Sequence, residues 1–192
     1  MIRALYDWTI DLANHPRAIW ALAIIAFIES SFFPIPPDAL LIPMILANPS
    51  KAWLYAGIAI LASVLGGLLG YAIGALAFEQ IGQPVLAALG MTQAAMDYSE
   101  NFNAVGYWAV LTAGITPIPF KVITIISGMT AMPIGLFLTT AIIARGIRFF
   151  AVATLLWFYG DRIRYFIEKQ LSWVFLLFIV ILIFGTMGVA LL

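Results

Sequence analysis

Two carboxylates flank a proline-rich segment inside an otherwise apolar part of the chain. Glu29 lies just before the segment 30–37 (SSFFPIPP), and Asp38 follows it directly. A carboxylate between apolar segments can carry a proton or pair with a cation, because an isolated charge is costly in hydrocarbon. We therefore predict that Glu29 and Asp38 are proton-carrying or coupling residues.

Prolines interrupt two apolar stretches of the sequence. Proline lacks an N–H and clashes with the preceding helical turn, so a helix that enters either group of prolines must end there. Apolar residues resume at once after each group, which predicts broken backbone at membrane depth. Such backbone is tolerated where protein buries it or where it lines a wet cavity. The predicted hairpin breaks are formed by Pro34, Pro36 and Pro37 in the first stretch and by Pro117 and Pro119 in the second.

The second interrupted stretch repeats the first. The sequence Pro117-Ile118-Pro119 has the spacing of Pro34-Ile35-Pro36, and Lys121 stands at the position equivalent to Asp38. A proline-interrupted apolar segment in each half of a chain points to a substrate site between the repeats of a transporter. Because the equivalent positions carry opposite charges, we expect Asp38 and Lys121 to meet and neutralise each other.

Two arginines lie within the last long apolar stretch before residue 160. Arg145 and Arg148 are three residues apart and so share one helix face. Arg145 lies about 18 Å along its predicted span, close to the middle of a bilayer. Together with Lys121 they are candidate ligands for an anionic head group. The alternative is that the arginines pair with Glu29 and Asp38 only to hold the helix bundle together.

The composition is that of a polytopic integral membrane protein with one domain. Hydrophobic residues make up 64% of the chain and charged residues 9%, and the mean hydropathy is +1.08. Nine basic and nine acidic residues cancel, so no nucleic-acid partner is indicated. The chain has no cysteine and a single histidine, His15. We therefore expect no metal, no cofactor and no enzymatic activity.

The predicted fold is all-α, with two inverted repeats that each consist of a re-entrant helical hairpin and a transmembrane helix. In the first full span, Gly66, Gly70 and Gly74 recur every fourth residue and predict a close helix contact. A single kinked span is the alternative to the first hairpin. The predicted elements are an interfacial amphipathic helix (1–16), the first hairpin (19–46), a transmembrane helix (52–78), an external segment (79–104), the second hairpin (105–131), a transmembrane helix (133–160), a charged loop (160–169) and a C-terminal transmembrane helix (171–192).

Basic residues predict the orientation. The segment 79–104 has no lysine or arginine, whereas the stretch before residue 52 and the stretch 160–169 have three each. Short cytoplasmic loops are rich in lysine and arginine, so the segment 79–104 is expected outside and the N-terminus in the cytoplasm. The two hairpins would then enter the membrane from opposite sides.

The order of these features resembles the DedA superfamily, also called the VTT or SNARE-associated domain. The resemblance covers residues 19–160 and includes the acidic residue, the proline-rich tip, the glycine-rich span and the sequence Ser127-Gly128-Met129 followed by Pro133. It implies a small bacterial inner-membrane protein. It also implies lipid scrambling, as in eukaryotic relatives, or undecaprenyl phosphate recycling and proton-dependent envelope maintenance, as in bacterial ones.

The resemblance also assigns residues. Family members carry acidic residues at the first hairpin, which match Glu29 and Asp38, and basic residues at the second. The usual arginines before and after the hairpin proline would fall here at Gly114 and Phe120, and Lys121 supplies the only charge nearby. This pattern is closer to the YqaA-like branch of the superfamily.

The sequence and the resemblance together predict a transporter of lipid head groups. Its substrate would be a phospholipid or a polyprenyl phosphate such as undecaprenyl phosphate, and its mode that of a flippase or scramblase. The expected partners are membrane lipids, while protons and a second copy of the chain remain open. The alternatives are a proton-coupled antiporter for small ions or drugs and a non-transport factor for envelope maintenance or assembly.

Overall fold

The structure of the chain is a computed structural model that describes residues 15, 17–33, 35–116 and 119–169. Four predictions fall outside these residues. They are the interfacial helix at 1–16 (apart from His15), the C-terminal helix at 171–192, and the roles of Pro34 and Pro117 in the breaks.

The described part of the chain forms helices joined by short connections, and it contains no strand. A 3-10 turn (Pro49–Lys51) and a π-helical turn (Phe78–Gly82) extend the third α-helix, and the run Pro49–Ala88 is long and apolar enough to cross a membrane. The stretch Ile134–Gly160 meets the same criterion. The α-helices in the described ranges are α1 (Ala18–Ser31), α2 (Asp38–Ala47), α3 (Ala52–Ala77), α4 (Gln83–Ala88), α5 (Thr92–Ile115), α6 (Phe120–Met129) and α7 (Ile134–Lys169).

Helices end at both groups of prolines. The first break, between Ser31 and Asp38, separates α1 from α2, and the second break, between Ile115 and Phe120, separates α5 from α6. Pro36 and Pro37 lie in the first break, and Pro119 directly precedes α6. Their fixed φ suits the start of a helix, where a missing N–H costs no intrahelical bond. That the broken helices re-enter a membrane remains a prediction.

In each half of the chain, one helix of the broken pair packs within its own half and the other packs against the opposite half. The first helix of each broken pair, α1 or α5, packs mainly on the long helix of its own half. The second helix, α2 or α6, packs mainly on the long helix of the other half. The long helices α3 and α7 also contact each other. The two halves therefore interlock in the same way, which is the packing that two structural repeats would give.

The glycines of α3 lie where other helices approach its backbone. A Cβ atom on Gly66 would collide with the carbonyl of Phe27 in α1, and one on Gly74 would collide with the carbonyl of Ile125 in α6. Between them, a Cβ on Gly70 would lie 3.1 Å from the carbonyl oxygen of Ser30. The absence of side chains at these positions therefore lets α1 and α6 approach α3 closely.

Two segments differ from the prediction. The predicted charged loop at 160–169 is wrong, because α7 continues without interruption to Lys169. A single glycine, Gly160, lowers helix stability by only about 1 kcal/mol relative to alanine and does not end the helix. In addition, α5 runs unbroken through residue 104, so part of the predicted external segment and the first arm of the second hairpin form one helix. Residues 92–104 contain neither proline nor glycine, so nothing local ends that helix.

Candidate functional site

A buried ion pair joins the end of α1 to the first third of α7. Arg145 Nη2 donates to Glu29 Oε2 at 2.7 Å, and the two side chains are 0% and 11% exposed. Buried charges are stable only when they are paired and hydrogen-bonded, and this pair meets that requirement in part. The pair links the first half of the chain to the second.

Two serines complete the surroundings of this pair. Ser30 Oγ donates to Glu29 Oε2 at 3.1 Å and accepts from Arg145 Nη2 at 3.2 Å. It also lies 2.6 Å from Ser63 Oγ in α3. Because Ser30 has one hydroxyl hydrogen, which it gives to the Glu29 carboxylate, Ser63 must be the donor in the serine pair. Sequence reasoning missed both serines; the adjacency of Ser30 to Glu29 was the only available signal.

An aromatic ring covers the Arg145 guanidinium. The Cζ atom of Arg145 lies 4.0 Å from the centroid of the Phe120 ring, at the start of α6, and 5.7 Å from the centroid of the Phe149 ring. The negative face of an aromatic ring attracts a cation. Two buried nitrogens of Arg145, Nε and Nη1, nevertheless have no hydrogen-bond partner among the described residues.

A second ion pair, between Asp38 and Arg148, lies at the two breaks and is more accessible. Arg148 Nη2 donates to Asp38 Oδ2, and the side chains are 18% and 19% exposed. Arg148 Nη1 also donates to the carbonyl of Thr116 at 3.0 Å. One guanidinium therefore bridges the start of α2 and the end of α5, at the first and second breaks respectively. The other carboxylate oxygen, Asp38 Oδ1, is buried without a partner among the described residues.

The predicted pair between Asp38 and Lys121 is wrong. Lys121 Nζ donates instead to the carbonyl of Phe32, which follows α1, at 3.3 Å. A lysine at a helix C-terminus satisfies a free carbonyl and lies at the negative end of the helix dipole. Asp38 is bound by Arg148, whose planar fork of N–H groups can hold a carboxylate and a carbonyl together.

The structure thus brings all five charged candidates to the region of the two breaks. Each arginine pairs with one carboxylate. These are the contacts expected from the alternative interpretation of the sequence, in which the arginines pair with the carboxylates to hold the helix bundle together. Three cations face two carboxylates, and Lys121 is the cation without a carboxylate partner among the described residues. The members are Glu29, Asp38, Lys121, Arg145 and Arg148.

Comparison with known proteins identifies the family. The family model of the VTT domain matches residues 35–158, which include α2 and most of α7. An uncharacterized protein of Haemophilus influenzae is 35% identical over 168 residues, covering 88% of this chain and 87% of that protein. An uncharacterized protein of Histophilus somni is 37% identical over 170 residues, covering 88% of each chain. No solved structure gives a significant match. The chain therefore belongs to the VTT domain (DedA) family of membrane proteins.

Proposed function

We propose that this protein moves the anionic head group of a membrane lipid across the bacterial inner membrane. The substrate is a phospholipid or a polyprenyl phosphate such as undecaprenyl phosphate, and the mode is that of a flippase or scramblase. The observation that carries the proposal is the convergence of three cations on the two breaks, against two carboxylates within the described ranges. A phosphate supplies the negative charge that this cluster lacks.

The three cations differ in how accessible their side chains are, and we assign their roles on that basis. Arg148 and Lys121 are half-buried and can be reached by a ligand, whereas the Arg145 side chain is fully enclosed. We assign Arg148 and Lys121 to the first contact with the phosphate. Arg145 would hold Glu29 until the site opens and then add its unpaired N–H groups.

The broken helices suit a path for a head group. Backbone polar groups at membrane depth become available where helices stop, and at the second break no side-chain hydrogen bond caps the N-terminus of α6. The hydrocarbon tail of the lipid would stay in the bilayer while its head group passes the two breaks. Glu29 and Asp38 would carry protons or keep the arginines paired when no lipid is bound. The step makes and breaks no covalent bond.

The test is lipid movement by the purified protein in liposomes. Fluorescent phosphatidylglycerol and a labelled polyprenyl phosphate are placed in one leaflet, and their appearance in the other is followed with and without a pH gradient. We expect movement that falls at least tenfold in Lys121→Met and is unchanged in the control Lys51→Met, which removes the same charge from an exposed turn far along the chain. Proton flux driven by a small cation, without lipid movement, would instead establish an antiporter.

A further inference from the structure

We infer that α2 is a hinged cover over a phosphate site on α7, and that Asp38 is a tethered anion that occupies Arg148 while this site is empty. The inference rests on the proposed function. It adds which helix moves and which protein group competes with the ligand.

The helix α2 is held to the rest of the protein by few polar contacts. Among the described residues, its only side-chain hydrogen bond to another helix is the one between Asp38 and Arg148. The first break precedes α2, and the non-helical residue Asn48 follows it, so both ends can act as hinges. Pro43 removes one backbone hydrogen bond inside the helix. The rest of its contact is made by apolar side chains, namely Leu40, Leu41, Met44, Ile45 and Leu46.

The corresponding helix of the other half, α6, is fixed in place. Cβ atoms on Gly74 of α3 and on Gly128 of α6 would collide with the carbonyls of Ile125 and Tyr71 respectively, so the two backbones are in direct contact. Thr124 Oγ1 also donates to the carbonyl of Ser30 at 3.1 Å. Close backbone contact and added hydrogen bonds resist separation, whereas the apolar side-chain interface of α2 can re-form after it opens. The movable helix is therefore α2.

The buried side of α7, around its two arginines, carries unmatched polar atoms. Arg145 and Arg148 lie one turn apart on this helix, and Nε and Nη1 of Arg145 are buried without hydrogen-bond partners. Asp38 Oδ1 is likewise buried and unmatched. Buried polar groups in this condition cost free energy, which a ligand that accepts from the arginine would relieve. A phosphate has the acceptor oxygens and the charge for both guanidinium groups.

Asp38 competes for the position that a phosphate would take. Carboxylate and phosphate oxygens both bind the N–H fork of arginine, so Asp38 and a phosphate cannot hold the same edge of Arg148 at once. Since Asp38 is the first residue of α2, its displacement also frees that helix. The carboxylate thus lowers ligand affinity and keeps the site closed.

This competition predicts a gain of affinity on loss of a charge. The probe is dihexanoyl phosphatidate, titrated into the full chain in detergent. Asp38→Asn should bind it about tenfold more tightly than the parent protein. The control Asp97→Asn makes the same change at an exposed position of α5 and should leave the affinity unchanged. Equal or weaker binding by Asp38→Asn, or an equal gain in the control, overturns the inference.

The movement of α2 is tested with its native charges, so the test stands even if Asp38→Asn fails to fold. The chain has no cysteine, so single-cysteine variants can be made without first replacing native cysteines. Leu41 is fully buried on α2. In the variant Leu41→Cys, the reaction of the cysteine with a small thiol reagent should be at least fivefold faster in the presence of phosphatidate than in its absence. Ala59→Cys, equally buried on α3, should not change. An unchanged reaction rate in Leu41→Cys overturns the inference that α2 is a hinged cover.

These measurements need no transport. If binding and labelling behave as expected but liposomes show no lipid movement, the proposed function fails and the site remains. If lipid moves but these results are absent, only the inference fails.

Discussion

The Glu29 carboxylate and the Arg145 guanidinium lie 2.7 Å apart although 116 residues separate them in the sequence. Glu29 comes from the last turn of α1, and Arg145 from the first third of α7. A pair with a fully buried arginine depends strongly on its partner, because removal of one member leaves a charge that the interior cannot solvate. The contact therefore ties the stability of one half of the molecule to the other.

The first prediction follows from this dependence. Glu29→Gln or Arg145→Met alone should lower the free energy of unfolding by about 3–5 kcal/mol. The double variant should recover much of that loss, because no isolated charge remains. Denaturant unfolding in detergent measures all three variants. Losses that simply add in the double variant would contradict a direct pair.

The second prediction concerns the more accessible pair. The same cycle on Asp38→Asn and Arg148→Gln should give a coupling energy of about 1 kcal/mol, because partly exposed pairs are weakened by water and salt. Its value should fall as the salt concentration rises, whereas that of the buried pair should change little. Equal coupling energies for the two pairs would show that exposure does not distinguish them.

The third prediction tests the glycine contacts of α3. Gly66→Ala and Gly74→Ala should each destabilise the protein by about 1–3 kcal/mol, since the added methyl group meets a backbone carbonyl that cannot move aside easily. Gly57→Ala is the matched control on the same helix, where a Cβ meets no atom within 4 Å. It should be neutral or slightly stabilising, and thermal unfolding in detergent compares the three. A loss at Gly57→Ala equal to the others would show that the cost belongs to the helix and not to the contacts.

The fourth prediction is the orientation in the membrane. The ring pairs Trp53–Phe150 and Tyr71–Phe137, at 5.6 and 5.3 Å, show that α3 and α7 run antiparallel. An impermeant thiol reagent added to intact cells should label a cysteine that replaces Asp97.

A cysteine that replaces Arg162 should react only after the cells are opened. Both native residues are exposed in the structure, so accessibility to the reagent depends on the side of the membrane. The reverse pattern would invert the predicted orientation.

The sequence identified the features that have local causes. Closely spaced prolines stop a helix that enters them, whereas the single Pro43 is accommodated inside α2. The groups that contain Pro36, Pro37 and Pro119 therefore allowed both breaks to be predicted. The charged stretch after Gly160 predicts a loop, but arginine, lysine and glutamate have good helix propensity, and α7 continues through this stretch to Lys169.

The pairing between charges that are far apart in the sequence has no local cause, so it could not be predicted from the sequence. Asp38 and Lys121 are equivalent in the repeat, but equivalent positions need not touch. The contact that forms depends on how α7 is rotated, which presents Arg148 to Asp38 and Arg145 to Glu29. The role of Ser63 likewise depends on the close approach of α1 to α3, which places its hydroxyl beside Ser30.

The ring of Phe120, stacked on the Arg145 guanidinium, limits how this site can vary among descendants of the chain. A basic side chain at position 120 would bring a second cation against the enclosed one, where water cannot screen their repulsion. A lineage can therefore gain a charge at position 120 only if position 145 loses its own first or at the same time. The two positions should change together, and the order of those changes should be constrained.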